Sequence, residues 1–187
     1  IKSFKLALKC DPISAYGGVV SFNFKINKIL ALELKKIFLE IVIGNGFDKE
    51  AIKILKKKKN LRIIDSSKLN LRDTLNISSG LSTLLIQSTD FKKFTKKDFV
   101  VVSKSKPSKK ILDNLIFAFN VCRFVKSNAI VLTQNFSTVG IGSGQPSRID
   151  SCKIAIEKME KSNSLENENI VAASDAFFPF VDGIEKL

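Results

Sequence analysis

The sequence predicts an α/β fold, and three observations carry that prediction. Between residues 19 and 64, short apolar runs alternate with segments of helical periodicity at a spacing that suits strands joined by crossover helices. Residues 109–125 form a long, mostly apolar helical stretch followed by two short strand-like runs. Finally, Gly140, Gly142 and Gly144 lie between a strand-like run and a further helix, where absent Cβ atoms permit bending and close approach.

The elements follow in order. Residues 1–9 place Phe4, Leu6 and Leu8 among lysines and read as the end of a helix. Asp11-Pro12-Ile13-Ser14-Ala15-Tyr16-Gly17-Gly18 is a turn, with proline fixing one dihedral and glycines freeing others. A strand is predicted over 19–23. Asn27 then caps a helix reaching about Phe38, with Ile29, Leu30, Leu32, Leu34 and Ile37 on its buried side. Residues 41–43 are a buried strand, Asp48 caps a helix over 49–58, and 61–64 is the next strand. The polar stretch 65–79 reads as a loop and as the best candidate for a seam between lobes. Strands are predicted over 80–87 and 99–103. Pro107 and Ser108 open the helix over 109–125. Strands over 129–132 and 138–141, a helix over 149–161, a polar linker over 162–169 and a strand over 170–173 complete the reading.

Composition sets limits. The 187 residues suffice for one sizeable domain or two small lobes. No apolar run is long enough to span a membrane. Cys10, Cys122 and Cys152 are odd in number and far apart, which suits reduced thiols in the cytoplasm. The formal charge of +13 opens an alternative, a lysine-rich nucleic-acid-binding module. However, only four of the 31 basic residues are arginines, and lysine, asparagine, isoleucine and phenylalanine share AT-rich codons, so genome composition accounts for the charge. No histidine is present, which excludes within this segment a histidine base or a His-ligated zinc.

Three groups can carry chemistry. Asn128 follows a buried helix, and its amide both donates and accepts; the plain alternative is a helix C-cap. The loop from Val139 to Asp150 offers a helix start, where N–H groups suit an anion, and Arg148 brings a fork that fits phosphate or carboxylate. It matches neither the dinucleotide nor the P-loop fingerprint; it reads as a ligand loop on an α/β scaffold, with a tight strand-to-helix turn as the plain alternative. Phe177, Phe178 and Phe180 surround Pro179 at a strand end; not all three can point inward, and an outward face can stack a flat ring, with Asp182 beyond to accept hydrogen bonds or to cap a helix.

Five stretches in this order, Asp11 to Gly18, Lys57 to Leu61, Val125 to Val131, Gly140 to Arg148 and Ala173 to Phe180, resemble the formyltransferase domain of the AICAR formyltransferase/IMP cyclohydrolase family, over essentially the whole chain. The resemblance implies a three-layer α/β/α, cytidine deaminase-like fold without zinc. It implies formyl transfer from 10-formyltetrahydrofolate to AICAR in purine synthesis, by a protein that is a homodimer when full length and has no nucleic-acid or membrane partner. By motif position Asn128 would touch the reacting amine and formyl group, while Ile13, Tyr16 and Gly17 line the pocket. Arg148 and Ile149 would border the folate, Phe177 and Phe180 contact the ligands, and Glu40 and Asp182 lie near the folate. Some members hold a structural potassium near the positions of Ser127 and Asp175. The family's catalytic Lys-His pair and cyclohydrolase domain would precede Ile1, and a ligand-binding arginine would follow Leu187. The chain is therefore expected to be an internal piece, inactive alone. Gly44-Asn45 and Val181 depart from the Ala-Pro and Arg common in relatives.

Overall fold

The computed structural model describes residues 1–69, 75–161 and 169–187. In chain order the elements are α1 (Lys2–Cys10), β1 (Gly18–Phe22), α2 (Lys28–Lys35), β2 (Leu39–Gly44), α3 (Lys49–Leu55), β3 (Arg62–Asp65), β4 (Leu75–Gly80), β5 (Thr83–Ser88), α4 (Lys109–Cys122), β6 (Ile130–Gln134), β7 (Ser137–Gly142), α5 (Arg148–Lys161), β8 (Val171–Ser174) and α6 (Asp182–Lys186). The protein is thus mixed α/β. It divides into two compact units, one of Ile1–Ala15 with Phe94–Leu187, the other of Tyr16–Lys93. The stretch 65–79 lies inside the second unit, and its residues 70–74 lie outside the described residues.

The unit Tyr16–Lys93 holds a parallel sheet in the order β1-β2-β3, with Val20 opposite Val42 and Ile43 opposite Ile64. Asn27 caps α2, its Oδ1 accepting from the Leu30 N–H at 3.0 Å. At 100° per residue, Leu30, Ala31 and Leu34 share the buried face of α2. Ile29 and Leu32, expected inside, fall off that face and are exposed. Asp48 precedes α3 but makes no side-chain cap; Lys25 Nζ meets its carboxylate at 2.8 Å instead. Ile26, Leu30, Ala31, Leu34, Val42, Ala51 and Leu55 are fully buried in this unit. β4 and β5 form an antiparallel hairpin, so the latter part of the expected 65–79 loop is a strand, held by pairing across the hairpin.

The unit containing Phe94–Leu187 is built on an antiparallel sheet in the order β7-β6-β8. Because side chains alternate across a strand, Ala129 and Val131 face α4 with Ala118 and Cys122, while Ile130 and Leu132 face α5 with Cys152 and Ala155. Helices therefore cover both faces of this sheet, which explains the unbroken apolar run of β6. Ser108 caps α4 through the Ile111 N–H. Buried Asn114 on α4 donates Nδ2 to the Thr133 carbonyl at 3.2 Å and accepts at Oδ1 from Thr133 Oγ1 and the Phe136 N–H, both at 3.1 Å. It fastens the β6–β7 turn to the helix. Residues 99–103 do not form the expected strand: Phe99 packs edge-on against Phe94 and Phe119, and Val100 and Val102 face solvent without a ladder partner among the described residues.

Candidate functional site

The glycine loop approaches α5. A Cβ on Gly140 would lie 2.0 Å from the Ala155 carbonyl oxygen, and one on Gly142 would lie 1.9 Å from that of Ser151. These two glycines let β7 pack directly on the helix, and Gly144 turns the chain at φ +69°. The start of α5 is thereby pressed against the ends of β6 and β8. Three residues that sequence reasoning singled out separately meet there: Asn128 before β6, Arg148 at the start of α5 and Asp175 after β8.

Asn128 ties the loop together. Its Nδ2 donates to the carbonyls of Gln145 at 3.0 Å and Pro146 at 2.9 Å, and its backbone N–H donates to Gln145 O at 3.2 Å. Its Oδ1 accepts from Arg148 Nη2 at 2.7 Å. The orientation of this amide is forced, because a guanidinium only donates and a carbonyl only accepts. Both amide hydrogens are engaged, and one Oδ1 lone pair is left. α4 ends at Cys122, so Asn128 is not its C-cap.

Arg148 is largely enclosed, with a side chain 12% exposed. Nη1 donates to Ser174 Oγ at 2.8 Å and to Asp175 Oδ1 at 2.5 Å, and the guanidinium carbon lies 6.0 Å from the centre of the Phe178 ring. The anion that its fork was expected to meet is thus a carboxylate of the chain itself. Asp175 Oδ1 also accepts from the Ala129 N–H at 3.0 Å, and its Oδ2 accepts from Ser127 Oγ. The peptide bond joining Ser127 to Asn128 is cis. Burial pushes the Asp175 carboxyl up, but hydrogen bonds from Arg148, Ser127 and Ala129, with the charge of Arg148, outweigh it and hold the pKa at about 2. Where the potassium was expected, Ser127 and Asp175 bond to each other. Both carboxylate oxygens already accept from donors, and a guanidinium supplies the neighbouring positive charge. Among the described residues no group of three or more metal-ligating side chains gathers elsewhere.

The remaining candidates separate. Phe178 turns inward to the core beside Cys152, while Phe177 and Phe180 stand 81% and 73% exposed. Two aromatic faces are therefore open to solvent on the segment that carries Asp175. Asp182 begins α6 and accepts from the Gly183 N–H. Ile149 packs against the α5 side of the core, and Ile13 is exposed in the same unit. Tyr16, Gly17 and Glu40 belong to the other unit, together at the starts of β1 and β2. There Tyr16 packs against Phe38 at 5.0 Å, and Gly17, at φ +73°, donates its N–H to the Phe38 carbonyl. Sequence reasoning missed Ser174, whose hydroxyl accepts from Arg148 and donates to the Ala176 carbonyl. Its signal was slight: a hydroxyl beside an acid at a strand end.

The family described as the AICARFT/IMPCHase bienzyme matches residues 1–158. The chain is 44% identical over 188 residues to the bifunctional purine biosynthesis protein PurH of Petrotoga mobilis, covering 100% of the chain and 35% of that protein. The proteins of that name from Leptospira biflexa and Prochlorococcus marinus are 43% and 42% identical, over 100% and 98% of the chain and 36% and 35% of their own lengths. The chain spans about a third of the length of these relatives. On this match, the chain belongs to the AICARFT/IMPCHase bienzyme family.

Proposed function

We propose that this chain forms part of the formyltransferase centre of a bifunctional enzyme of purine biosynthesis, moving a formyl group from 10-formyltetrahydrofolate to the 5-amino group of AICAR. The observation that carries the reading is the identity of 42–44% along essentially the whole chain to bifunctional purine biosynthesis proteins. The sheet with helices on both faces supports assignment to the cytidine deaminase-like, three-layer class.

In the reaction the amine nitrogen attacks the formyl carbon, forming the new C–N bond and an oxyanion. The amine gives up a proton, and the adduct collapses by expelling N10 of the folate, which takes one up. The amine is a weak nucleophile because its lone pair is delocalised into the ring, so alignment carries much of the barrier reduction, up to about 7–11 kcal/mol. Asn128 serves this step through the open lone pair of Oδ1, which accepts from the amine N–H and turns the nitrogen lone pair toward the formyl carbon. Stabilising the oxyanion, roughly 3–4 kcal/mol per donor, requires N–H donors, and both amide hydrogens of Asn128 are committed to the loop. The Asn128 contact to the formyl oxygen would require one of them to be released. Exposed Phe177 and Phe180 present rings for the flat heterocycles of the ligands. Arg148 and Ile149 support the folate side from within the start of α5; motif position assigns ligand contacts to Ile13 and Asp182 in the same unit, and likewise to Tyr16, Gly17 and Glu40 in the other. With no histidine in the chain, the proton acceptor is assigned to the Lys-His pair of the family, outside these residues. The same reading gives a cytoplasmic homodimer.

The test is a formylation assay on the complete open reading frame that carries this sequence. AICAR-dependent loss of 10-formyltetrahydrofolate is the expected outcome, and its absence with both substrates saturating would refute the reading.

A further inference from the structure

Asn128 is gripped from three directions by one carboxylate. Asp175 Oδ2 accepts from the hydroxyl of Ser127, the residue before Asn128, and Oδ1 accepts from the backbone N–H of Ala129, the residue after it. The same Oδ1 holds Arg148 Nη1 at 2.5 Å, and Arg148 Nη2 reaches Asn128 Oδ1 at 2.7 Å. Ser174 Oγ takes a further N–H of Arg148, so the guanidinium has little freedom to turn. An amide can face either way in a symmetric pocket. Here a flip would set its oxygen against two carbonyls and its NH2 against a guanidinium. Without Arg148 and its anchor, only the two loop carbonyls would hold the orientation.

We propose that Asp175 and Arg148 are a positioning pair. Their task is to fix the carboxamide of Asn128 so that the free lone pair of Oδ1 meets the amine of the acceptor; this rests on the formyl-transfer reading. Neither residue needs to touch the reacting atoms. The ligand-facing duty assigned to Arg148 by motif position is thereby replaced, for its guanidinium, by an inward one.

The experiment is a double-mutant cycle in the complete open reading frame, with Asp175→Asn, Asn128→Ala and the pair, measuring kcat and both KM values. If the pair acts through Asn128, Asp175→Asn alone lowers kcat by about 10- to 100-fold while each KM moves less than about threefold. In the Asn128→Ala background the same change lowers kcat by less than about threefold, because the amide that it orients is already gone. A purely structural role would not produce that loss of effect. Should Asp175→Asn fail to fold, Arg148→Lys, which keeps the charge and loses the fork, carries the same cycle. A fall in kcat as deep without the Asn128 amide as with it would overturn this proposal alone, as would an Asp175→Asn protein of near-normal kcat. A wild-type protein that transfers no formyl group would overturn the functional reading and this proposal with it.

Discussion

Asp175 shows how a single carboxylate can be both structural and consequential. Its ordinary unfolded pKa is near 3.9, and in the fold it is held at about 2. A depressed carboxyl stabilises the fold fully above the unfolded value and loses that contribution as pH falls through the folded one. Asp175 therefore stabilises the protein above about pH 4, and the contribution disappears between about pH 4 and 2. Acid unfolding of wild type against Asp175→Asn checks this: the stability difference is expected to be flat from pH 5 to 8 and to shrink below pH 4. At this scale the sequence was partly legible. Asn128 and Arg148 stood out by residue type, and Ser127 and Asp175 only through the family resemblance, but not that they meet. Arg148 was expected to face a ligand because its fork suits an anion; that the anion is Asp175, 27 positions on, depends on how β8 pairs with β6.

At the scale of elements, tight contacts set the geometry. Gly142 sits where any Cβ would strike the Ser151 carbonyl at 1.9 Å, and backbone cannot rotate aside. Gly142→Ala is expected to cost on the order of 2–3 kcal/mol and to loosen the start of α5, read as a lower midpoint in denaturant unfolding. Asn114 makes the opposite case, a polar side chain that is buried and satisfied. Asn114→Ala leaves the Phe136 N–H and Thr133 groups without partners, at a cost of about 1–3 kcal/mol for each group left unsatisfied; thermal melts would register it. Helices were readable from periodicity, as α4 buries one face through Asn114, Ala118 and Cys122, and β6 was readable from its apolar run, which is buried on both faces of the sheet. The 75–80 strand and the absent strand at 99–103 were not. The first is held by a hairpin partner rather than by its own pattern, and the second is diverted by Phe99 packing onto Phe119. The glycine loop read as a ligand loop, with a tight strand-to-helix turn as the alternative, since glycine spacing alone does not reveal what comes close.

For the whole molecule, the net charge of +13 coexists with local ion pairs in both units. Lysines in or directly after α2, α3 and α5 pair locally with acids three or four residues away, as in Lys36–Glu33, Lys53–Glu50, Lys153–Asp150 and Lys161–Glu157. The three thiols are buried and free, with burial pushing each upward, Cys122 to about 11. Native protein is expected to leave them unmodified by a thiol reagent at neutral pH, and denatured protein to react fully; rapid native labelling would contradict their placement. The account turns on Asn128, and the turnover of Asn128→Ala in the complete open reading frame tests it most directly. The expected result is a fall in kcat of about 100-fold or more, with a protein that still folds but has a somewhat lower thermal midpoint, because the loop hydrogen bonds go with the amide. Turnover near the wild-type value in a folded Asn128→Ala protein would contradict the account.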